Sequence, residues 1–162
     1  MTTAMSSPYC RSMTDDALIA ELAARLRRLE DLQEIHQLFV DYGAFLDAGD
    51  LDGYASRFAD DGELLLGPLG RATGPDAIKE LMGRATASSA GNSFHVISSP
   101  QVQLDGDRAT SVVMWTVVAK DAEGSPTVTM IGKHVDVLTR TDAGWRFQCR
   151  EGHIDIPTVM RE

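Results

Sequence analysis

The sequence predicts an α+β fold: a cone-shaped barrel in which a curved, mostly antiparallel sheet wraps around helices and encloses an apolar cavity. Three observations carry that prediction. Between Leu29 and Leu66, apolar residues first recur at three- and four-residue steps, the period of a helix lying on a core. From Phe94 onward the period becomes that of strands. The β-rich runs Ala109 to Lys120, Val128 to Arg140 and Trp145 to about Ile154 are joined by short turn sequences, as in an antiparallel meander. Helices first and a long sheet afterwards is the α+β order.

Each element has its own signal. Residues 1–13 are rich in Ser and Thr and read as a disordered tail. Thr14 or Asp15 caps a first helix with Leu18, Leu22, Leu26 and Leu29 at helical spacing, which either continues into the next stripe or kinks near Glu30-Asp31. The stripe itself is Leu32, Ile35, Phe39, Tyr42 and Leu46. Beside it runs a second seam of His36, Val40, Gly43 and Asp47, which places Asp47 at the margin of the core where the helix runs out. Gly49 suits a left-handed cap, and Asp50 is placed to cap a short helix through Tyr54 and Phe58. Asp60-Asp61-Gly62 is turn chemistry before a strand from Glu63 to Leu66. Gly67 to Gly74 is a turn with a short strand at Arg71 to Thr73. Pro75 then opens a helix to about Ala87 that buries Ile78, Leu81 and Met82. After a loop at 88–92, Phe94, Val96 and Ile97 begin a strand that Val102 and Leu104 resume beyond Pro100, and Asp105-Gly106-Asp107 signals a hairpin.

A chain of 162 residues suggests one domain, spanning 14–162. Its net charge of −9, without a basic run, argues against nucleic acid and against an anionic membrane surface as partners. Cys10 and Cys149 lie far apart and read as reduced thiols. No secretory or membrane-spanning stretch is legible, so a cytoplasmic location is expected.

Three polar residues are placed for chemistry: Tyr42, Asp47 and His95. If His95 faces inward on its strand, it enters an apolar cavity, and a carboxylate beside it makes a general-base device. Tyr42 could then donate to a carbonyl or departing oxygen. The alternative is a solvated helix-end Asp47 and an outward-facing His95, and spacing does not choose between them. His134 is a candidate substrate contact, because alternation sends Lys133 and Val135 to the other side. Arg150, near the end of the last strand, is a second candidate substrate contact, which could bind a carboxylate or neutralise an enolate; the alternative is a pair with one of the chain's own carboxylates. Only one of Met114 and Trp115 can line the cavity; Trp115 is the candidate substrate contact, with core packing the alternative for both. His36 reads as structural, and His153 has no assignable face. No HExxH pair, calcium-type loop, phosphate loop or Gly-x-Ser-x-Gly motif is present, so no metal and no cofactor are expected.

The combination of Tyr42-x4-Asp47, GDLDGYASRFADDGEL, Gly74-Pro-Asp-Ala-Ile, SFHVIS and the terminal GWRFQCREG resembles the SnoaL-like branch of the nuclear transport factor 2-like superfamily, from Leu22 to Ile156. Dehydratases and a dehydrochlorinase of that superfamily have an Asp ending the long helix and a His beginning a later strand, which match Asp47 and His95. The Tyr five residues before that Asp in bile acid 7α-dehydratase matches Tyr42. The resemblance implies a cofactor-free lyase or isomerase, foremost a dehydratase, acting on a small apolar cyclic substrate such as a polyketide, steroid or terpenoid-like compound. An aldol-type cyclase and a non-catalytic ligand-binding module are the alternatives. It also implies a homodimer or homotrimer that meets through the exposed side of the sheet.

Overall fold

A computed structural model describes residues 14–87 and 91–156. The expected tail at 1–13, part of the expected 88–92 loop and Cys10 lie outside the described residues. The first helix, α1, is continuous over Asp15–Ala48, so the chain does not kink at Glu30-Asp31. The reason is local: Ala, Leu, Arg and Glu dominate this stretch, and neither Pro nor Gly interrupts it before Gly43. Thr14 caps it by accepting from the Ala17 amide, and Asp15 and Asp16 sit favourably at the positive end of the helix dipole. At the other end Gly49 takes φ 70°. The Gly49 and Asp50 amides then donate back to the Leu46 and Phe45 carbonyls, which closes the helix.

Ile35, Phe39, Tyr42 and Leu46 are buried as the stripe predicts. The second seam is only partly right: Gly43 is buried, but His36 and Val40 face solvent. Gly43 faces the sheet, where a Cβ would lie 3.2 Å from Ile97 Cγ1.

Asp50 accepts from the Gly53 amide at 2.8 Å and starts α2, Leu51–Ala55. This helix is shorter than expected, because Phe58 already begins β1, Phe58–Leu65. Asp60-Asp61-Gly62 does not reverse the chain either. It lies where the register of β1 shifts between Phe58 and Glu63. A Cβ at Gly62 would come within 2.8 Å of the Phe147 carbonyl oxygen, which explains the glycine. Since the Asp50 cap joins the long helix to the short one, Asp50→Ala is expected to cost about 1 kcal/mol in urea unfolding with no change in m-value.

After a short turn, β2 (Arg71–Thr73) leads into α3 (Pro75–Thr86), which buries Ile78, Leu81 and Met82. Four long strands follow: β3 (Ser93–Asp105), β4 (Arg108–Lys120), β5 (Pro126–Thr141) and β6 (Gly144–Ile156). β3 carries a register shift between Ser98 and Gln101, next to Ser99 at φ 51°. The sheet order is β2-β1-β6-β5-β4-β3. β1 runs parallel to β6, and every other pair is antiparallel. The expected α+β architecture, a curved and mostly antiparallel sheet over helices, is present; the sheet does not close on itself, and β2 and β3 are its free edges. α1 packs against β3 and β6, while α3 packs against β1 and β2. One hydrophobic cluster joins α1, α2, α3 and the concave face. Among the described residues no helix is long and apolar enough to cross a membrane.

Candidate active site

The site begins with a glycine. A Cβ on Gly43 would lie 3.2 Å from Ile97 Cγ1, so the absent side chain lets α1 approach β3 closely. Asp47 follows one helical turn later on the same side and reaches the start of β3. Its carboxylate accepts from the His95 backbone N–H at 3.0 Å and meets the His95 ring at Nδ1, 2.7 Å away. A carboxylate can only accept, so the Nδ1 proton belongs to the imidazole, and in the neutral ring the lone pair lies on Nε2. Both side chains are largely shielded, His95 13% and Asp47 16% exposed. Phe94 and Val96, the neighbours of His95, face the opposite side of the sheet and are exposed.

His95 lines a cavity of about 180 Å³ whose other walls are mainly apolar, including Leu46, Leu66, Met82, Val117 and Ile154. Tyr42, Trp115 and His134 line it too. The strand register explains the room inside. Trp115, Gly132 and Ile154 form one row across β4, β5 and β6, and Val113, His134 and Gly152 form the next. A Cβ at Gly132 would run into the Trp115 indole and the His153 carbonyl. One at Gly152 would stand 3.1 Å from Leu66. Gly132 thus makes room for the Trp115 indole, and Gly152, itself on the cavity wall, makes room for Leu66.

Tyr42 sits at the centre of the polar groups. Its ring lies edge-on to both His95 and His134, with centroids 6.2 and 5.1 Å away. The hydroxyl is 3.5 Å from His134 Nε2, the outer limit of hydrogen bonding. That weak contact leaves the phenol free to turn to a ligand oxygen. Burial, with the nearby Asp136 and Asp47 charges, pushes its pKa up to about 12, against the lowering effect of Arg150, so it is a proton donor and not a phenolate.

His134 is held neutral. Burial pushes its pKa well below the ordinary value, and the charges of Arg150, His95 and His153 add to this. Its Nδ1 and the Trp115 Nε1 are both buried without a partner among the described residues. The consequence for stability has a definite sign. As pH falls below about 6.5, the unfolded chain takes up the His134 proton first, so stability is lost progressively until the depressed folded pKa is reached. The slope is at most about 1.4 kcal/mol per pH unit. His134→Gln is expected to flatten the dependence of urea-unfolding stability on pH between 6.5 and 5, whereas an equal slope in both proteins contradicts a buried neutral imidazole.

Arg150 is not a cavity residue, which corrects its expected role as a substrate contact. It is fully buried, with Nε and Nη2 bonded to the Asp136 carboxylate at 2.8 and 3.0 Å. The cause is register: Asp136 and Arg150 are directly opposed on β5 and β6, and Ser111 opposes Asp136 on β4. The Ser111 hydroxyl donates to Asp136 at 2.9 Å, completing a buried polar row. The guanidinium stacks on Phe147 and Tyr42, 3.8 and 4.5 Å from their ring centres, and so supports Tyr42 from below. Asp136 and Ser111 escaped the sequence reading. A signal for Asp136 was there: it has the inward parity of His134 and Leu138, so its charge had to be buried and paired.

The remaining candidates divide cleanly. Trp115 lines the cavity and Met114 does not. His153 lies outside the lining, 3.4 Å from Glu151, and His36 is exposed. Cys149 is a free thiol.

An open six-stranded sheet folded over a long helix, with polar groups gathered in the cavity between them, defines a nuclear transport factor 2-like α+β protein. Within that class the chain belongs to the SnoaL-like domain family, whose model matches residues 27–151. Among solved structures it is similar to a nuclear transport factor 2-like protein with a cystatin-like fold from Novosphingobium aromaticivorans, at 30% identity and TM-score 0.77, covering 86% of this chain and 92% of that one. It shares its fold with a candidate scytalone dehydratase from the same organism, at 20% identity and TM-score 0.69, over 83% of this chain and 97% of the other. The fold is also that of ActVI-ORFA from Streptomyces coelicolor, at 22% identity and TM-score 0.68, over 76% and 96%. No curated protein matches the chain in sequence.

Proposed function

We propose that the protein is a cofactor-free acid–base lyase or isomerase, foremost a dehydratase, acting on a small apolar cyclic substrate. The observation that carries this reading is the 2.7 Å contact between Asp47 and His95 on the wall of an otherwise apolar cavity. The fold it shares with a candidate scytalone dehydratase agrees with it. The cavity, at about 180 Å³, is smaller than the roughly 300–1,000 Å³ of sites for drug-sized ligands. One or two rings of a polyketide or terpenoid-like compound suit it better than a four-ring steroid.

In this mechanism His95 Nε2 removes a proton from the carbon beside a substrate carbonyl. The electron pair moves onto the carbonyl oxygen, which accepts a hydrogen bond from the Tyr42 hydroxyl. Asp47 holds the imidazole in the reactive tautomer and stabilises the imidazolium that forms. The enolate then collapses, the bond to a β-hydroxyl breaks, and His95 returns its proton to that oxygen. Water leaves and the dyad is restored. His134 and Trp115, with buried nitrogens lacking partners among the described residues, supply polar contacts for a second substrate oxygen.

The test is a panel of one- and two-ring β-hydroxyketones, followed by the absorbance of the conjugated enone and by exchange of the α-proton in D2O using NMR. Water loss or exchange above buffer that disappears in Asp47→Asn is expected. Binding of panel members without either reaction would leave a ligand-binding module instead.

A further inference from the structure

The first turns of α1 carry an apolar face turned away from the protein's own core. Leu18, Ile19, Leu22, Leu26 and Leu29 are each between 46% and 64% exposed. At 3.6 residues per turn they fall within an arc of about 100°. The opposite side, with Ala20, Ala24 and Arg27, faces the β3–β4 hairpin across a groove. From Asp15 to Glu30 every residue is exposed except the half-buried Glu21. A helix of about 24 Å with so little burial is marginal in water. This arm also lies mostly before residue 27, where the family match begins, so the shared domain does not account for it.

We infer that this arm is a self-association surface, pairing antiparallel with the same arm of a second copy of the chain. The pattern is self-complementary. With Leu22 against Leu26 of the second copy, Ile19 meets Leu29 with Leu18 beside it, and the two-fold relation repeats these contacts. Charge selects the direction. One flank of the stripe bears Glu21, Arg25 and Arg28, with Glu21 ion-paired to Arg25 within the helix. In the antiparallel register Glu21 comes to lie between Arg25 and Arg28 of the other copy. The helix dipoles also oppose one another favourably in that arrangement. The residues 1–13 of the same chain, MTTAMSSPYCRSM, contain no matching aliphatic series. This surface is separate from the exposed side of the sheet, and the inference does not rest on the proposed chemistry.

Sedimentation equilibrium of the full chain tests it. The wild type is expected to show at least twice the monomer mass at about 50 μM, and Leu22→Glu/Leu26→Glu to halve the wild-type mass with unchanged circular dichroism of the folded body. Glu21→Lys alone and Arg25→Glu/Arg28→Glu alone should each weaken association about tenfold or more, and mixing the two should restore it, since each then meets its opposite charge. A chain without residues 1–13 should associate like the wild type. A monomeric wild type, an unaltered mass in the double glutamate variant, or failure of the mixture to recover would overturn the antiparallel pairing. Association that appears only when residues 1–13 are removed would also overturn it, because the stripe would then be covered by the chain's own terminus.

Discussion

His95→Gln is expected to lower kcat/KM by about 10²–10⁴-fold on any substrate the panel identifies, with most of the loss in kcat. The glutamine amide is too weak a base to take the α-proton. Asp47→Asn should act nearly as strongly by a different route. An asparagine can turn its NH2 toward Nδ1 and donate to it, which moves the ring proton to Nε2 and removes the lone pair from the cavity side. In the proposed mechanism the two side chains work as one device, so the double variant should be no slower than the worse single variant. Rates measured for the four proteins decide it. Losses that multiply, or a His95→Gln enzyme as fast as the wild type, would sink the dyad as the base. Thermal unfolding of the same proteins is expected to differ by only a few degrees, since Asp47 keeps its bond to the His95 backbone N–H in His95→Gln.

Asp136→Ala should be the most destabilising change in the sheet, by about 3–5 kcal/mol, which lowers Tm by roughly 6–20 °C. The substitution strands a fully buried guanidinium whose Nη1 already lacks a partner among the described residues. It also frees the Ser111 hydroxyl. The cost comes from the charge left behind and not from any large net gain of the pair itself. Replacing both partners, as Arg150→Met with Asp136→Leu, is therefore expected to recover most of the loss. Differential scanning calorimetry of the single and double variants reads the difference directly. A double variant as unstable as Asp136→Ala would mean that the guanidinium contributes mainly by stacking on Phe147 and Tyr42.

The buried row and the dyad were legible in the sequence to different degrees, and the difference is physical. The resemblance to relatives pointed to Asp47 and His95, and the strand period added that His95 and its neighbours face opposite ways. Neither said that the two residues touch, because the contact is made by α1 against β3 and depends on the close approach at Gly43. Arg150 was visible as a charge on the last strand. Its partner is set by the pairing of β5 with β6, which no local pattern encodes, so a buried structural pair was read as a substrate contact.

Periodicity, caps and turn residues determined the element order: the long helix closed at Gly49, the Asp50 cap, the Pro75 start and the meander. These are short-range effects, fixed by backbone conformation and by which face of each segment is apolar. Three features were decided only by the tertiary structure: that the sheet stays open, that β1 runs parallel to β6, and that Gly132 and Gly152 leave room for the Trp115 indole and for Leu66. Each depends on residues far apart in sequence competing for the same space, and only the packed chain settles that competition.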